Sequence, residues 1–66
     1  MQFENYINKL VVAVYRERLD SFAKTVRGYL IKEDSEFIYI DAFGTHYVIS
    51  KSFLIKLKVK MGVSNE

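Results

Sequence analysis

Lys51, Lys56, Lys58 and Lys60 fall in one segment of the chain with no acidic residue among them. On an extended strand, alternate side chains stand about 6.6–7 Å apart on one face. That spacing is close to the backbone repeat of an extended nucleic acid strand, so this row could meet successive phosphates. The same row could equally block unwanted pairing at a sheet edge. Rings are plentiful too: the chain has five Tyr and five Phe. Tyr29, Tyr39, Phe43 and Tyr47 could stack on bases, or fill a core or subunit interface. A second basic set is Arg16, Arg18, Lys24 and Arg27, partly neutralised by Glu17 and Asp20. If residues 11–27 are helical, this set forms a basic face that could lie on DNA phosphates.

Other chemistry finds less material. Glu33, Asp34 and Glu36 could gather around a divalent cation. A turn in which Asp34 bonds nearby backbone N–H groups accounts for them more simply. The single histidine, His46, has no nucleophile or orienting partner beside it in the sequence. With no cysteine, disulfides, thiolate nucleophiles and cysteine-based zinc sites are excluded. No phosphate-binding loop or metal-ligand spacing is present. The expectation is a non-catalytic protein with no cofactor and no metal.

These residues need elements to hold them. Phe3, Tyr6, Ile7 and Leu10 recur at three- and four-residue spacings, which predicts a short N-terminal helix over residues 1–10. The dense valines at 11, 12 and 14 favour a strand over 11–17. Ile7, Val11, Tyr15, Leu19, Phe22 and Val26 also trace a helical stripe, so a helix through this region stays open. From Thr25 onward the pattern is β. Val26, Gly28 and Leu30 share a face, and the glycine inside the run marks a bend or bulge. Residues 33–36 make a polar turn, residues 37–43 a strand, Gly44-Thr45 a hairpin turn and residues 46–49 a further strand. Residues 53–60 alternate cleanly: Phe53, Ile55, Leu57 and Val59 face inward, Leu54 and the lysines outward. The fold class is therefore mainly β: a short helix (1–10), a five-stranded, strongly bent barrel (11–60) and a frayed tail (61–66). The α+β alternative packs one or two N-terminal helices on a three- or four-stranded antiparallel sheet.

Sixty-six residues with half of them hydrophobic make a single domain, residues 1–66. A core of that size contributes only about 3–5 kcal/mol unaided, so self-association is the available route to more stability. No apolar run reaches the ~18 residues of a membrane span, and the first residues carry no basic stretch of a secretory leader. The expectation is a cytoplasmic homo-oligomer with no membrane partner.

The segment Val26-Arg27-Gly28-Tyr29-Leu30, with Asp34 following and then Phe37 and Ile40, resembles the first motif of the Sm-like family. The short N-terminal helix extends the likeness to its bacterial Hfq branch, across most of residues 3–60. The resemblance implies a bent barrel, a ring of subunits and RNA binding. On an RNA-binding reading Lys51, in the turn before the last strand, comes first among the ligand residues and Tyr29 and Phe37 next, with Lys56 and Lys58 of the lysine row meeting phosphates. This chain departs from the family's pattern in carrying Ile38 where an Asn is usual, and Ser50-Lys51 where Arg-Gly or Lys-His stands. The expected function is RNA binding by an oligomeric ring. The alternatives are DNA binding by a small regulator, or a protein-interaction module without nucleic acid.

Overall fold

The computed structural model describes residues 2–60. Five antiparallel strands form one sheet: β1 (Leu10–Tyr15), β2 (Lys24–Glu33), β3 (Phe37–Ala42), β4 (Thr45–Ser50) and β5 (Leu54–Val59). They lie in the order β4-β3-β2-β1-β5. Among the described residues no helix is long and apolar enough to cross a membrane.

Alternation along each strand builds the core. Val11, Ala13 and Tyr15 of β1 are buried with Val26 and Leu30 of β2, Ile38 and Ile40 of β3, and Ile49 of β4. Residues paired across an antiparallel ladder share a face, so these side chains meet on the inside of the curl. Leu54, Leu57 and Val59 of β5 complete it from the other edge.

Gly28 shows why the sheet curls. A Cβ added there would collide with the Asp41 carbonyl oxygen and lie 2.8 Å from the Ala42 Cα. Only a residue without a side chain lets β3 cross that close. A register shift between Leu30 and Lys32 adds to the bend a few residues on.

The closed barrel expected from the sequence does not form. A flat five-stranded sheet holds its edges about 19 Å apart, yet the 3-10 turn Lys51–Phe53 alone joins the two edge strands. Even fully extended, the chain from Ser50 to Leu54 spans only about 13–14 Å. The curl therefore brings β4 and β5 together at one corner. Closure needs a ladder between first and last strands, and among the described residues no pairing forms between β4 and β5. The sheet stays open.

The N-terminal helix is also absent. One 3-10 turn, Glu4–Tyr6, is all that forms among the described residues before β1. Ile7 is already extended and Asn8 takes a positive φ of 68°, both incompatible with a continuing helix. Sheet pairing wins over the helical spacing here: Asn8 N–H donates to the Leu30 carbonyl at 2.6 Å, and Leu30 N–H to the Lys9 carbonyl at 3.1 Å. Phe3, Tyr6 and Ile7 still pack on the core.

The helical stripe through residues 11–27 likewise gives way to β1, a loop and β2. Two other expectations shift by one residue. The β3–β4 hairpin turns on Phe43-Gly44, both at positive φ, with Ala42 opposite Thr45. In β5 the register slips between Val14 and Tyr15, so Leu54 pairs with Tyr15 while Ile55 is 51% exposed. The expected tail, residues 61–66, lies outside the described residues.

Candidate nucleic-acid interface

The register assembles one basic face from three strands. Val12 of β1 pairs with Arg27 of β2 on one side and Lys58 of β5 on the other. Two residues along, Val14 pairs with Thr25 and Lys56. Burial alternates along β1, with Val11, Ala13 and Tyr15 inside, so Val12 and Val14 lie on the outer face with all four partners. Arg27, Lys56 and Lys58 are exposed. Neighbouring strands lie about 4.8 Å apart, so Lys58 and Arg27 flank Val12 at about 10 Å backbone separation.

Tyr29 extends the face. It lies two residues beyond Arg27 on the same side of β2, opposite Leu10, and is 46% exposed. No Asp or Glu occupies an outer position of β1, β2 up to Tyr29, or β5. The first acid on this surface comes with β3, where Asp41 stands opposite Tyr29. Three cations, an exposed ring and a floor of valines suit a polyanion carrying planar groups. Of the residues singled out from the sequence, Tyr29, Lys56 and Lys58 come together here. Arg27 joins them through the ladder rather than through a helix, and no sequence spacing reveals that β1 lies between β2 and β5.

Lys51 lies elsewhere. Its ammonium donates to Glu33 Oε2 at 2.5 Å and sits 5.8 Å from the centre of the Phe3 ring. The Glu33 side chain is only 2% exposed and Lys51 18%. The Phe3 backbone N–H is shared between both carboxylate oxygens, at 2.9 and 3.1 Å. Burial alone would raise the Glu33 pKa, but the bonds from Lys51 and Phe3 and the nearby positive charges hold it below the usual glutamate value. Glu33 thus ties the N-terminal segment to the turn after β4. By residue type it belongs to a solvated turn, because the register shift after Leu30 that points it inward leaves no signature in the sequence.

Phe37 pairs with Ser50 between β3 and β4, away from the basic face. It follows a well-bonded turn. Asp34 Oδ1 accepts from the N–H groups of Glu36 and Phe37 at 2.9 and 2.7 Å, and Oδ2 accepts from the Tyr39 hydroxyl at 3.0 Å. Those backbone bonds lower the Asp34 pKa, and the bond to Asp34 raises that of Tyr39. Lys32 caps the Tyr39 ring at 5.2 Å. Tyr39 is therefore engaged on its edge and on one side. Among the described residues no three His, Asp or Glu side chains gather as a metal-binding group. His46 is largely exposed, with Nε2 3.9 Å from Asp41. No family model, curated protein or solved structure matches this chain.

Proposed function

We propose that this chain is a non-catalytic nucleic-acid-binding protein that self-associates in the manner of the Sm-like family and takes single-stranded RNA on its outer sheet face. The observation that carries this reading is the acid-free face where Arg27, Lys56 and Lys58 surround Val12 and Val14 beside the exposed ring of Tyr29. Phosphates meet the cations, and a base stacks on Tyr29. A flat, solvent-facing site of this kind offers electrostatics and stacking rather than a deep pocket for base reading, so binding is salt-dependent and tolerant of sequence. Lys51 supports the fold in this reading, because its charge is committed to Glu33. The Sm-like frame is supported by the glycine-bent second strand and by the five-strand curl. Among the described residues the outer edges of β4 and β5 pair with no further strand, which leaves two strand edges for neighbouring copies to pair with.

The test is fluorescence anisotropy with short single-stranded RNA and matched DNA across a salt series. Each phosphate contact on a single strand adds about 0.7 to the slope of log affinity against log salt. The double substitution Lys56→Ala with Lys58→Ala is expected to weaken binding and lower that slope by about 1.4. Lys51→Ala is expected to leave the slope in place. Absence of a salt-dependent signal with either nucleic acid would defeat the reading, and tighter binding of DNA would reassign the ligand.

A further inference from the structure

Five outer positions line up in one row across the sheet. Lys60 continues the alternation of β5, and its N–H donates to the Leu10 carbonyl at 2.8 Å, which sets it opposite Leu10. Leu10 pairs with Tyr29, Tyr29 with Asp41, and Asp41 with His46. Val11, Leu30 and Ile40, their neighbours in sequence, are buried, so the row lies on the opposite, outer face. It reads cation, apolar side chain, ring, carboxylate and imidazole. Lys60 and Tyr29 are exposed.

Asp41 is the acid that ends the acid-free face, and its carboxylate is only partly committed. Oδ1 accepts from the Gly44 N–H at 2.9 Å, a bond that orients the group at the hairpin. His46 Nε2 stands 3.9 Å from that same oxygen and forms an ion pair with it only when protonated. Oδ2 has no partner among the described residues. A carboxylate offers about four acceptor sites and no donor, so acceptor capacity remains beside the ring.

Neighbouring strands lie about 4.8 Å apart, which puts Lys60 about 10 Å and Asp41 about 5 Å from Tyr29, on opposite sides of it. Opposite charge draws a phosphate to Lys60, and like charge keeps it off Asp41. A nucleotide stacked on Tyr29 is thereby turned crosswise: phosphate toward β5, sugar over Leu10, base edge toward β3. An acceptor-only group then selects among base edges. Guanine presents two adjacent donors, N1–H and the N2 amine, to a pair of oxygens. Adenine and cytosine offer one amine beside a ring-nitrogen acceptor, and uracil one N–H between two carbonyls. Each of those sets an acceptor against the carboxylate.

We infer that Asp41 is a base-reading residue, which gives the RNA site a preference for guanine at the nucleotide stacked on Tyr29, with that nucleotide's phosphate at Lys60. This deepens the RNA-binding reading above and rests on it. Binding stays tolerant of sequence along the rest of the face, where no carboxylate borders the site.

The experiment is fluorescence anisotropy at pH 8 with a uridine hexamer that carries one guanosine, adenosine or inosine at a fixed internal position. Guanosine and adenosine both stack as purines, so their ratio reports the base edge. Guanosine is expected to bind about tenfold more tightly than adenosine, the scale of one bidentate contact to a base. Inosine lacks the N2 amine and is expected to fall between them. Asp41→Asn keeps an oxygen for the Gly44 N–H but offers a donor in place of Oδ2. It is expected to fold, as circular dichroism would verify, and to lose the guanosine preference. Lys60→Ala is expected to keep that preference and to lower the salt slope by about 0.7. Equal affinity for guanosine and adenosine, or a preference that survives Asp41→Asn, overturns the base-reading role while RNA binding stands. Inosine binding as tightly as guanosine overturns the paired-donor contact, and an unchanged slope in Lys60→Ala overturns the crosswise placement. No salt-dependent binding of any hexamer defeats the RNA reading itself, and this inference with it.

Discussion

A glutamate with 2% of its side chain exposed needs partners, and Glu33 takes them from two separate parts of the chain, the Phe3 backbone and Lys51. Removing the charge while keeping the shape isolates what that clasp contributes. Glu33→Gln leaves the Lys51 ammonium facing a neutral amide and is expected to cost about 2 kcal/mol at neutral pH, measured by urea denaturation. The pH dependence has a definite sign. Because the folded-state pKa is lowered, the contribution is fully present above the unfolded glutamate value of about 4.3 and is lost as pH falls through the folded value. The wild type is therefore expected to lose its advantage over the glutamine variant on acidification below about pH 4.3. A constant difference down to pH 2 would exclude the clasp. Residue types alone show an acidic turn at 33–36, and for Asp34 that reading matches its bonds to the Glu36 and Phe37 N–H groups. Glu33 differs because a single-residue slip in a ladder turns a side chain from one face to the other.

Among the elements, β2 sets the shape of the sheet, and its glycine is the tightest constraint on it. The backbone of β3 occupies the space a methyl group would need at position 28. Gly28→Ala is expected to destabilise by about 3 kcal/mol, which is comparable to what so small a core contributes unaided. Loss of cooperative thermal unfolding in that variant is the expected outcome, and a melt like the wild type's would mean that the strands separate there at little cost. The bend is legible in the sequence because a glycine weakens a run of Val, Tyr and Leu unless the backbone must bulge or pass close to a neighbour there. Strands β2 to β5 are legible from alternation and the intervening polar turns. The absence of an N-terminal helix is not, since Phe3, Tyr6 and Ile7 reach the core from a 3-10 turn and an extended segment just as they would from a helix. Likewise, Leu19 and Phe22 continue a helical stripe in the sequence, yet both stand exposed on the loop between β1 and β2.

At the scale of the molecule, one core, with eight buried hydrophobic residues among those described, supports the sheet. If copies complete one another, folding and assembly are linked, and the melting temperature is expected to rise with protein concentration. Differential scanning fluorimetry over a hundredfold dilution series would measure this, and a midpoint independent of concentration would count against assembly. The basic face is only half visible in the sequence: Lys56 and Lys58 can be placed on one side of a strand, but strand order decides that Arg27 joins them. That order has a consequence for how the protein is made. β1 pairs with β2 on one side and with β5 on the other, so Val11 finds Val59 only after the strands between them have been synthesised. Until then a nascent chain presents the bare edge of a valine-rich strand to its neighbours on the ribosome. A short delay in translation within residues 34–53 would prolong that exposure, at a stage when β1 and β2 alone form a hairpin too small to be stable.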